Sequence, residues 1–177
     1  AEKSTFLESS WLLLNGELPG QEQLDEFTLQ ISRHTMLHED MRNFYNGFPR
    51  DAHPMAMASS VVAALSTFYQ DSADPLDPEN VRLTSIRLLA KLPTIAAFSL
   101  KASQGLPYIY PDNRLNYTQR FMKMMFGHNT EPYEVDEDLA RVLDVLLTLH
   151  ADHEQNCSAT AVRLVGSARA NLWVSIS

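Results

Sequence analysis

A short polar tract near residue 150 holds the densest group of side chains that could do chemistry. It follows an apolar run, 139–149, that predicts a buried helix. Burying polar groups costs free energy unless each finds a partner, so a tract of this kind at the end of a buried helix predicts a site. Two imidazoles, two carboxylates and two amides occur within seven residues: His150, Asp152, His153, Glu154, Gln155 and Asn156.

The two histidines of this tract are compatible with three kinds of site. On a helix, a spacing of three places His150 and His153 on one face, where zinc or iron could use them with Asp152 or Glu154. Alternatively, each ring bonds to the backbone and is structural. The third possibility, anion recognition or acid–base work, suits a histidine with a pKa near about 6.5. No His-Glu-x-x-His motif or further cluster with metal-ligand spacing occurs, so the sequence favours this third possibility over a metal site.

Other polar groups give weaker signals. Cys157 invites a nucleophile interpretation, but a lone cysteine of this kind is predicted to be buried and inert. No G-x-S-x-G, G-x-G-x-x-G or P-loop motif is present. Polar side chains in the predicted connectors could bind an anion, although a solvated surface loop is the favoured interpretation. These side chains are Arg33, His34, Arg50 and His53.

Helical periodicity extends along the whole chain and predicts an all-α architecture of about nine helices. No convincing alternation of period two runs over five or more residues. Pro93 lies inside the longest predicted helix and should kink it. The predicted helices cover about 5–14, 21–33, 38–46, 54–70, 79–104, 114–126, 136–150 and 158–168, with a further one beginning at 170.

A line of small residues marks one face of the predicted helix 54–70. Small side chains at spacings of three and four let a second helix approach closely. Tight packing within the same domain is the favoured interpretation, and a subunit interface is the alternative. The line consists of Ala56, Ser60, Ala63 and Thr67.

Composition bounds the classes of protein and partner. The 177 residues carry a formal charge of −8, so neither nucleic acid nor anionic membrane is an expected partner. No run approaches the roughly 20 apolar residues of a membrane helix, and the first residues do not form a signal peptide. The single cysteine fits a reducing, cytoplasmic compartment. Both ends look cut, because apolar segments start by residue 6 and run to residue 177, which predicts a fragment.

Six motifs, in order along the chain, resemble the citrate synthase family. Together they cover essentially the whole chain and are most similar to bacterial members, including those of actinobacteria. They are LLNGELP at 13–19, RHTM at 33–36, RDAHPM at 50–55, LAKLPT at 89–94, EPYE at 131–134, and HADHEQN at 150–156 with RLVGS at 163–167.

This resemblance implies that residues 1–177 are part of the large helical domain of a homodimer or higher homo-oligomer, without the small domain and C-terminal part. The family condenses oxaloacetate with acetyl-CoA and then hydrolyses citryl-CoA, and needs no cofactor beyond these substrates. Its acid–base triad of two histidines and an aspartate falls outside this chain, so the chain alone is expected to be inactive. The family's oxaloacetate-binding histidine corresponds to His153.

Some bacterial members of the family bind NADH as an allosteric inhibitor. A cysteine associated with that control corresponds to Thr130 here, which weakens the expectation of NADH control. The positions that match the NADH site are Arg33, His34, Thr35, Tyr69, Arg87 and Lys91.

Two alternatives to citrate synthase remain open. The related 2-methylcitrate synthases usually carry a Tyr-Ala-Glu-His-Glu-Phe-Asn-like tract, so His150, Asp152 and Gln155 favour citrate synthase proper. A helical interaction module that kept the scaffold and lost the chemistry is the second alternative.

Overall fold

A computed structural model describes residues 3–152 and 154–177, except for the side chain of Ser72, and every regular element in this part is helical. The predicted all-α class is confirmed. A 3₁₀ helix, Gln70–Ser72, accompanies nine α-helices in the described part. They are α1 (Phe6–Asn15), α2 (Gln21–Arg33), α3 (Met41–Asn46), α4 (Pro54–Leu65), α5 (Pro78–Gln104), α6 (Tyr117–Phe126), α7 (Glu137–His150), α8 (Cys157–Ser167) and α9 (Leu172–Ile176).

Local sequence signals determine where several helices begin and end. The Thr5 hydroxyl accepts from the Glu8 amide at 3.3 Å and the Glu8 carboxylate accepts from the Thr5 amide at 2.6 Å, which confirms the capping box at α1. Gly16 ends α1 with φ +83°, in the left-handed region that glycine enters without strain. Pro54 opens α4 as expected for a first helical residue.

Helix α4 ends earlier than the sequence predicts. The hydrophobic pattern extends to about residue 70, but the regular helix stops at Leu65. The Ser66 and Thr67 hydroxyls donate to the carbonyls of Ala63 and Ala64 at 2.7 and 2.8 Å. Such local side-chain bonds compete with helical ones, and the chain continues in turns instead.

Helix α5 is the centre of the fold and packs against α2, α3, α4, α6 and α9. One face joins a cluster with α4 and α9 that surrounds the fully buried Trp173. The other face joins a second cluster with α1 and α2 around Phe27 and Ile31. Two hydrophobic clusters therefore share one helix.

The same helix corrects the expectation that no segment is long and apolar enough to span a membrane. Within the described residues, α5 meets the length and composition required, but most of its apolar window is buried in the chain. Arg87 and Lys91 interrupt the apolar run in the sequence, which hid this property. A buried core helix of a soluble protein has the same character.

Pro93 lies inside α5, which continues past it to Gln104. Proline has no amide hydrogen, so the Leu89 carbonyl, four residues earlier, lacks its helical donor. The Tyr117 hydroxyl of α6 donates to this carbonyl at 2.8 Å. The carbonyl that Pro93 leaves unpaired is therefore satisfied by the neighbouring helix, as buried carbonyls generally are.

We expect Tyr117→Phe to lower the free energy of unfolding by about 1–3 kcal/mol, because it leaves the Leu89 carbonyl buried without a donor. In a Pro93→Ala background the cost should be much smaller, since the backbone amide that alanine restores at this position can then donate to the Leu89 carbonyl. Urea unfolding of the wild type, the two single variants and the double variant measures the coupling free energy between Tyr117 and Pro93.

Tyr133→Phe is the matched control, because the half-buried Tyr133 has no hydroxyl hydrogen bond within the described ranges. It should change stability by less than about 0.5 kcal/mol. Equal costs of Tyr117→Phe in the two backgrounds would show that the hydroxyl does not compensate for the proline.

Helix α7 is not the buried helix that its apolar run predicts. Its buried face consists of Ala140 and Asp144, and the Asp144 carboxylate accepts from the Phe6 amide at 3.2 Å at the start of α1. A carboxylate at a helix N-terminus is favourable, so this polar contact attaches α7 to α1. The apolar stripe faces away from the described chain, and each of its residues is 46–55 % exposed. It comprises Leu139, Val142, Leu146 and Leu149.

The line of small residues on α4 is also not packed as expected. Ala56 is exposed and Ala63 is only half-buried. The face of α4 that packs in the core carries Met57, Val61, Val62 and Leu65. The small side chains therefore lie along the less covered side of α4. The larger apolar residues, which recur with helical periodicity, form the packed side instead.

Candidate functional site

The polar tract forms the junction between α7 and α8. His150 is the last residue of α7, and its Nδ1 lies 2.7 Å from the Leu146 carbonyl oxygen. Because a carbonyl can only accept, this contact places a proton on Nδ1. The Asp152 carboxylate then accepts from the Glu154 amide at 3.0 Å, and Glu154 adopts φ +57°.

Helix α8 begins directly after the turn. The Asn156 side chain accepts from the Ala159 amide at 2.9 Å and caps the helix. Among the residues of the tract that the structure describes, the side chains of Asp152, Glu154 and Asn156 are exposed. The junction is thus open to a ligand from solvent.

His153, the predicted oxaloacetate-binding residue, lies outside the described residues. Cys157, predicted to be buried, is exposed as the first residue of α8. The prediction failed because none of the residues of α8, all of which are described, is buried. Within the described residues, no group of three or more His, Cys, Asp and Glu side chains could hold a metal ion.

A second polar cluster lies where the connector between α2 and α3, residues 34–40, crosses α5. Three successive carbonyls of the connector accept hydrogen bonds from α5 side chains. The Lys91 ammonium donates to the carbonyls of His34 at 2.7 Å and Met36 at 2.5 Å. The Thr94 hydroxyl donates to the Thr35 carbonyl between them at 2.8 Å. The connector is therefore fixed on α5 through its backbone.

The side chain of Thr35 adds a further link to this cluster. Its hydroxyl lies 3.2 Å from the Asn113 side-chain oxygen, which also accepts from the buried Arg120 at 3.0 Å. The segment before α6 is thereby joined to the connector. Thr94 and Asn113 were not predicted as site residues, because no local pattern indicates which distant groups they meet.

Aromatic and charged groups stack beside the connector. The Arg87 guanidinium lies 4.5 Å from the centre of the Tyr69 ring, and the Lys91 ammonium lies 5.1 Å from it. Both distances allow cation–π attraction. Arg87 also pairs with the two carboxylate oxygens of Asp71 at 3.0 and 3.1 Å. Tyr69 also stacks on Trp173 with ring centres 5.3 Å apart.

His34 and Lys91 of this cluster have lowered pKa values. Burial, together with the nearby charge of Arg87, lowers the pKa of Lys91 to about 8. Burial, followed by the charges of Lys91 and Arg87, lowers the pKa of His34. Each shift disfavours additional positive charge in a region that already holds two cations.

The structure assembles five of the six residues that match the NADH site. His34, Thr35, Tyr69, Arg87 and Lys91 meet where α5 crosses the connector. Arg33, at the end of α2, is exposed. Of the other two connector residues considered as anion ligands, His53 caps α4 by accepting from the Met55 amide at 3.2 Å. Arg50 lines a separate cavity.

The lowered pKa of Lys91 predicts a pH-dependent stability. Between about pH 8 and pH 10.5 the folded chain releases the Lys91 proton while the unfolded chain retains it, so stability rises with pH in this window. We expect the wild type to gain up to roughly 3 kcal/mol relative to Lys91→Met between pH 7 and pH 10.5. Urea unfolding at both pH values measures this difference.

Lys3→Met is the matched control, since Lys3 is exposed at the chain surface. Its stability difference from the wild type should stay constant over the same pH range. A constant difference for Lys91→Met as well would contradict the lowered pKa.

Comparison with known proteins relates the whole chain to one family. Residues 1–177 match a sequence model described as citrate synthase, C-terminal domain. Citrate synthase 1 of Mycobacterium tuberculosis is 59 % identical over 177 residues, which are 100 % of this chain and 41 % of the relative. Citrate synthase of Corynebacterium glutamicum is 53 % identical over 100 % of this chain and 40 % of its own length.

Solved structures show the same similarity. A crystal structure of citrate synthase from Pyrobaculum aerophilum matches with a TM-score of 0.88 and 31 % identity, over 98 % of this chain and 44 % of that one. Citrate synthase from Thermotoga maritima matches with a TM-score of 0.79 and 25 % identity, over 98 % and 43 %. The chain thus spans about two-fifths of the length of the curated relatives it matches.

Proposed function

The chain belongs to the citrate synthase family, and from this premise we propose that it forms part of a cytoplasmic enzyme that condenses oxaloacetate with acetyl-CoA to citrate and CoA. The family match over every residue carries the proposal. The open junction between α7 and α8 supports it, because an anionic substrate can reach the side chains of the polar tract there.

Within this proposal, His153 binds oxaloacetate. An imidazole that donates to a carboxylate makes a charge-assisted hydrogen bond worth about 1.5–3 kcal/mol. The acid–base triad of the family has no counterpart in residues 1–177, so the chain by itself should show no turnover.

A chimera tests this function. The chain replaces the matching segment of the Corynebacterium glutamicum enzyme, and release of the CoA thiol is followed with oxaloacetate and acetyl-CoA. We expect activity from the chimera and none from the isolated chain. His153→Ala in the chimera should lower kcat/KM for oxaloacetate roughly 10- to 150-fold, in line with the loss of one charge-assisted bond.

Arg163→Gln is the control for the chimera, because Arg163 is an exposed residue of α8 outside the polar tract. It should leave kcat/KM unchanged. A folded His153→Ala chimera with unchanged kinetics would assign His153 a structural role, and a preference for propionyl-CoA would favour 2-methylcitrate synthesis. A folded but inactive chimera would favour the interaction module.

The assembly that we propose is a homodimer or higher homo-oligomer. In support, apolar side chains lie exposed on several helices of the described chain, and contiguous patches of this kind are uncommon on monomers. The line of small residues on α4 would allow close helix approach between subunits. Exposed apolar side chains on the last two helices include Leu164, Val165, Val174 and Ile176.

Static light scattering between micromolar and millimolar concentrations tests self-association. We expect the mass to rise above the 20.0 kDa of one chain. Leu164→Glu should raise the concentration of half-association at least tenfold, because it places a charge on an exposed apolar face.

Leu18→Glu is the matched control, since Leu18 is similarly exposed but lies between α1 and α2. It should leave association unchanged. A wild-type mass of one chain at every concentration would contradict the proposal.

Binding of NADH at the α2–α5 crossing stays a prediction. Lys91 and Arg87 already have partners in the described structure, namely two connector carbonyls and the Asp71 carboxylate. A dinucleotide that used these cations would have to replace those contacts, so binding would release the connector from α5.

A further inference from the structure

A separate open cavity of about 530 Å³ lies between α3, the loop before α4 and the segment that follows α5. Its volume is in the range that holds a small organic ligand. No described residue of the polar tract or of the connector cluster lines it. The residues that decide its chemistry are Arg42, Tyr45, Phe48, Arg50, Tyr108 and Tyr110.

One wall of this cavity is aromatic and held in place. Tyr108 stacks on Phe98 with ring centres 4.5 Å apart and lies 5.9 Å from the ring of Tyr45. The Tyr45 hydroxyl donates to the Ile95 carbonyl of α5 at 3.1 Å, which fixes its ring against the core. Rigid rings of this kind offer a surface on which an aromatic ligand can pack at little entropic cost.

Arg50 forms the charged end of the cavity. Its guanidinium lies against the backbone of Gly105, which has φ +67°, and a methyl group at this position would overlap it. A cation near the C-terminus of α5 is favourable for the helix dipole, which accounts for its location. However, none of the residues described in 3–152 and 154–177 accepts a hydrogen bond from its five N–H donors.

Arg42 supplies a second guanidinium, at the rim. It lies 3.5 Å from a Glu39 carboxylate oxygen and 3.5 Å from the Tyr110 hydroxyl, which itself donates to Glu39 at 3.2 Å. These contacts hold Arg42 beside the Tyr108 ring, 5.9 Å from its centre. Both charged residues that line the cavity are therefore cations, and no carboxylate lines it among the described residues.

We propose that this cavity binds a small compound in which a phosphate group is joined to an aromatic ring. Arginine forks match the oxygens of a phosphate bidentately, and Arg50 has donors available for it. The ring of the ligand packs on the wall formed by Tyr45 and Tyr108. This site is independent of the oxaloacetate function proposed for His153.

Isothermal titration of the 177-residue chain with phenyl phosphate tests the proposal, because this probe joins the two required groups. We expect saturable binding of one molecule per chain. Inorganic phosphate and phenol, each carrying one of the two groups, should bind at least tenfold more weakly. Arg50→Gln should weaken binding of phenyl phosphate at least tenfold, and Arg42→Gln should weaken it by a smaller factor.

Arg163→Gln is again the matched control and should leave the affinity unchanged, since Arg163 does not line the cavity. Circular dichroism confirms that each variant keeps its helical content. Absence of saturable binding to the wild type at millimolar phenyl phosphate would overturn the proposal. Equal affinities of a folded Arg50→Gln variant and the wild type would also overturn it.

Discussion

The attachment of three consecutive backbone carbonyls to helix α5 is the contact on which most of the described structure depends. A buried carbonyl without a donor is costly, and the connector after α2 has no helix or sheet of its own to supply one. Lys91 and Thr94 supply the donors from within α5. This contact sets where the chain enters α3 and where the Lys91 ammonium lies. The ammonium and the Arg87 guanidinium both lie within cation–π distance of the Tyr69 ring.

The same requirement recurs along α5. The Tyr117 hydroxyl donates to the Leu89 carbonyl, which Pro93 leaves without its helical donor. The buried Lys101 ammonium donates at 2.9 Å to the Gly127 carbonyl at the end of α6. Polar side chains are thus buried in the central helix because they pair with backbone that would otherwise be unsatisfied. Helix α6 is positioned by these two bonds at its two ends as well as by apolar packing.

The helices could be predicted from the sequence because their signals are local. The capping box at Thr5, the glycine after α1 and the spacing of apolar residues each act within one or two turns. Burial was harder to predict: the apolar stripe of α7 lies outside, and the face that meets α1 carries the polar contact of Asp144 with the Phe6 amide. The family and the polar tract were recognisable from motifs. The grouping of Tyr69 with residues 87 and 91 came from the family resemblance. The association of Thr94 with the connector depends on a contact between distant segments that no short pattern encodes.

Trp173 has a consequence for how the chain folds during synthesis. Its side chain is completely buried at the centre of the cluster formed by α3, α4 and α5, although it lies more than 100 residues after α4. A ribosome adds residues one at a time, and segments emerge from the N-terminus onward. The cluster around Phe27 and Ile31 needs nothing beyond α6 for its buried members, so it can close early. The cluster around Trp173 stays incomplete until α9 emerges, and until then the nascent chain exposes a groove between α4 and α5 to chaperones.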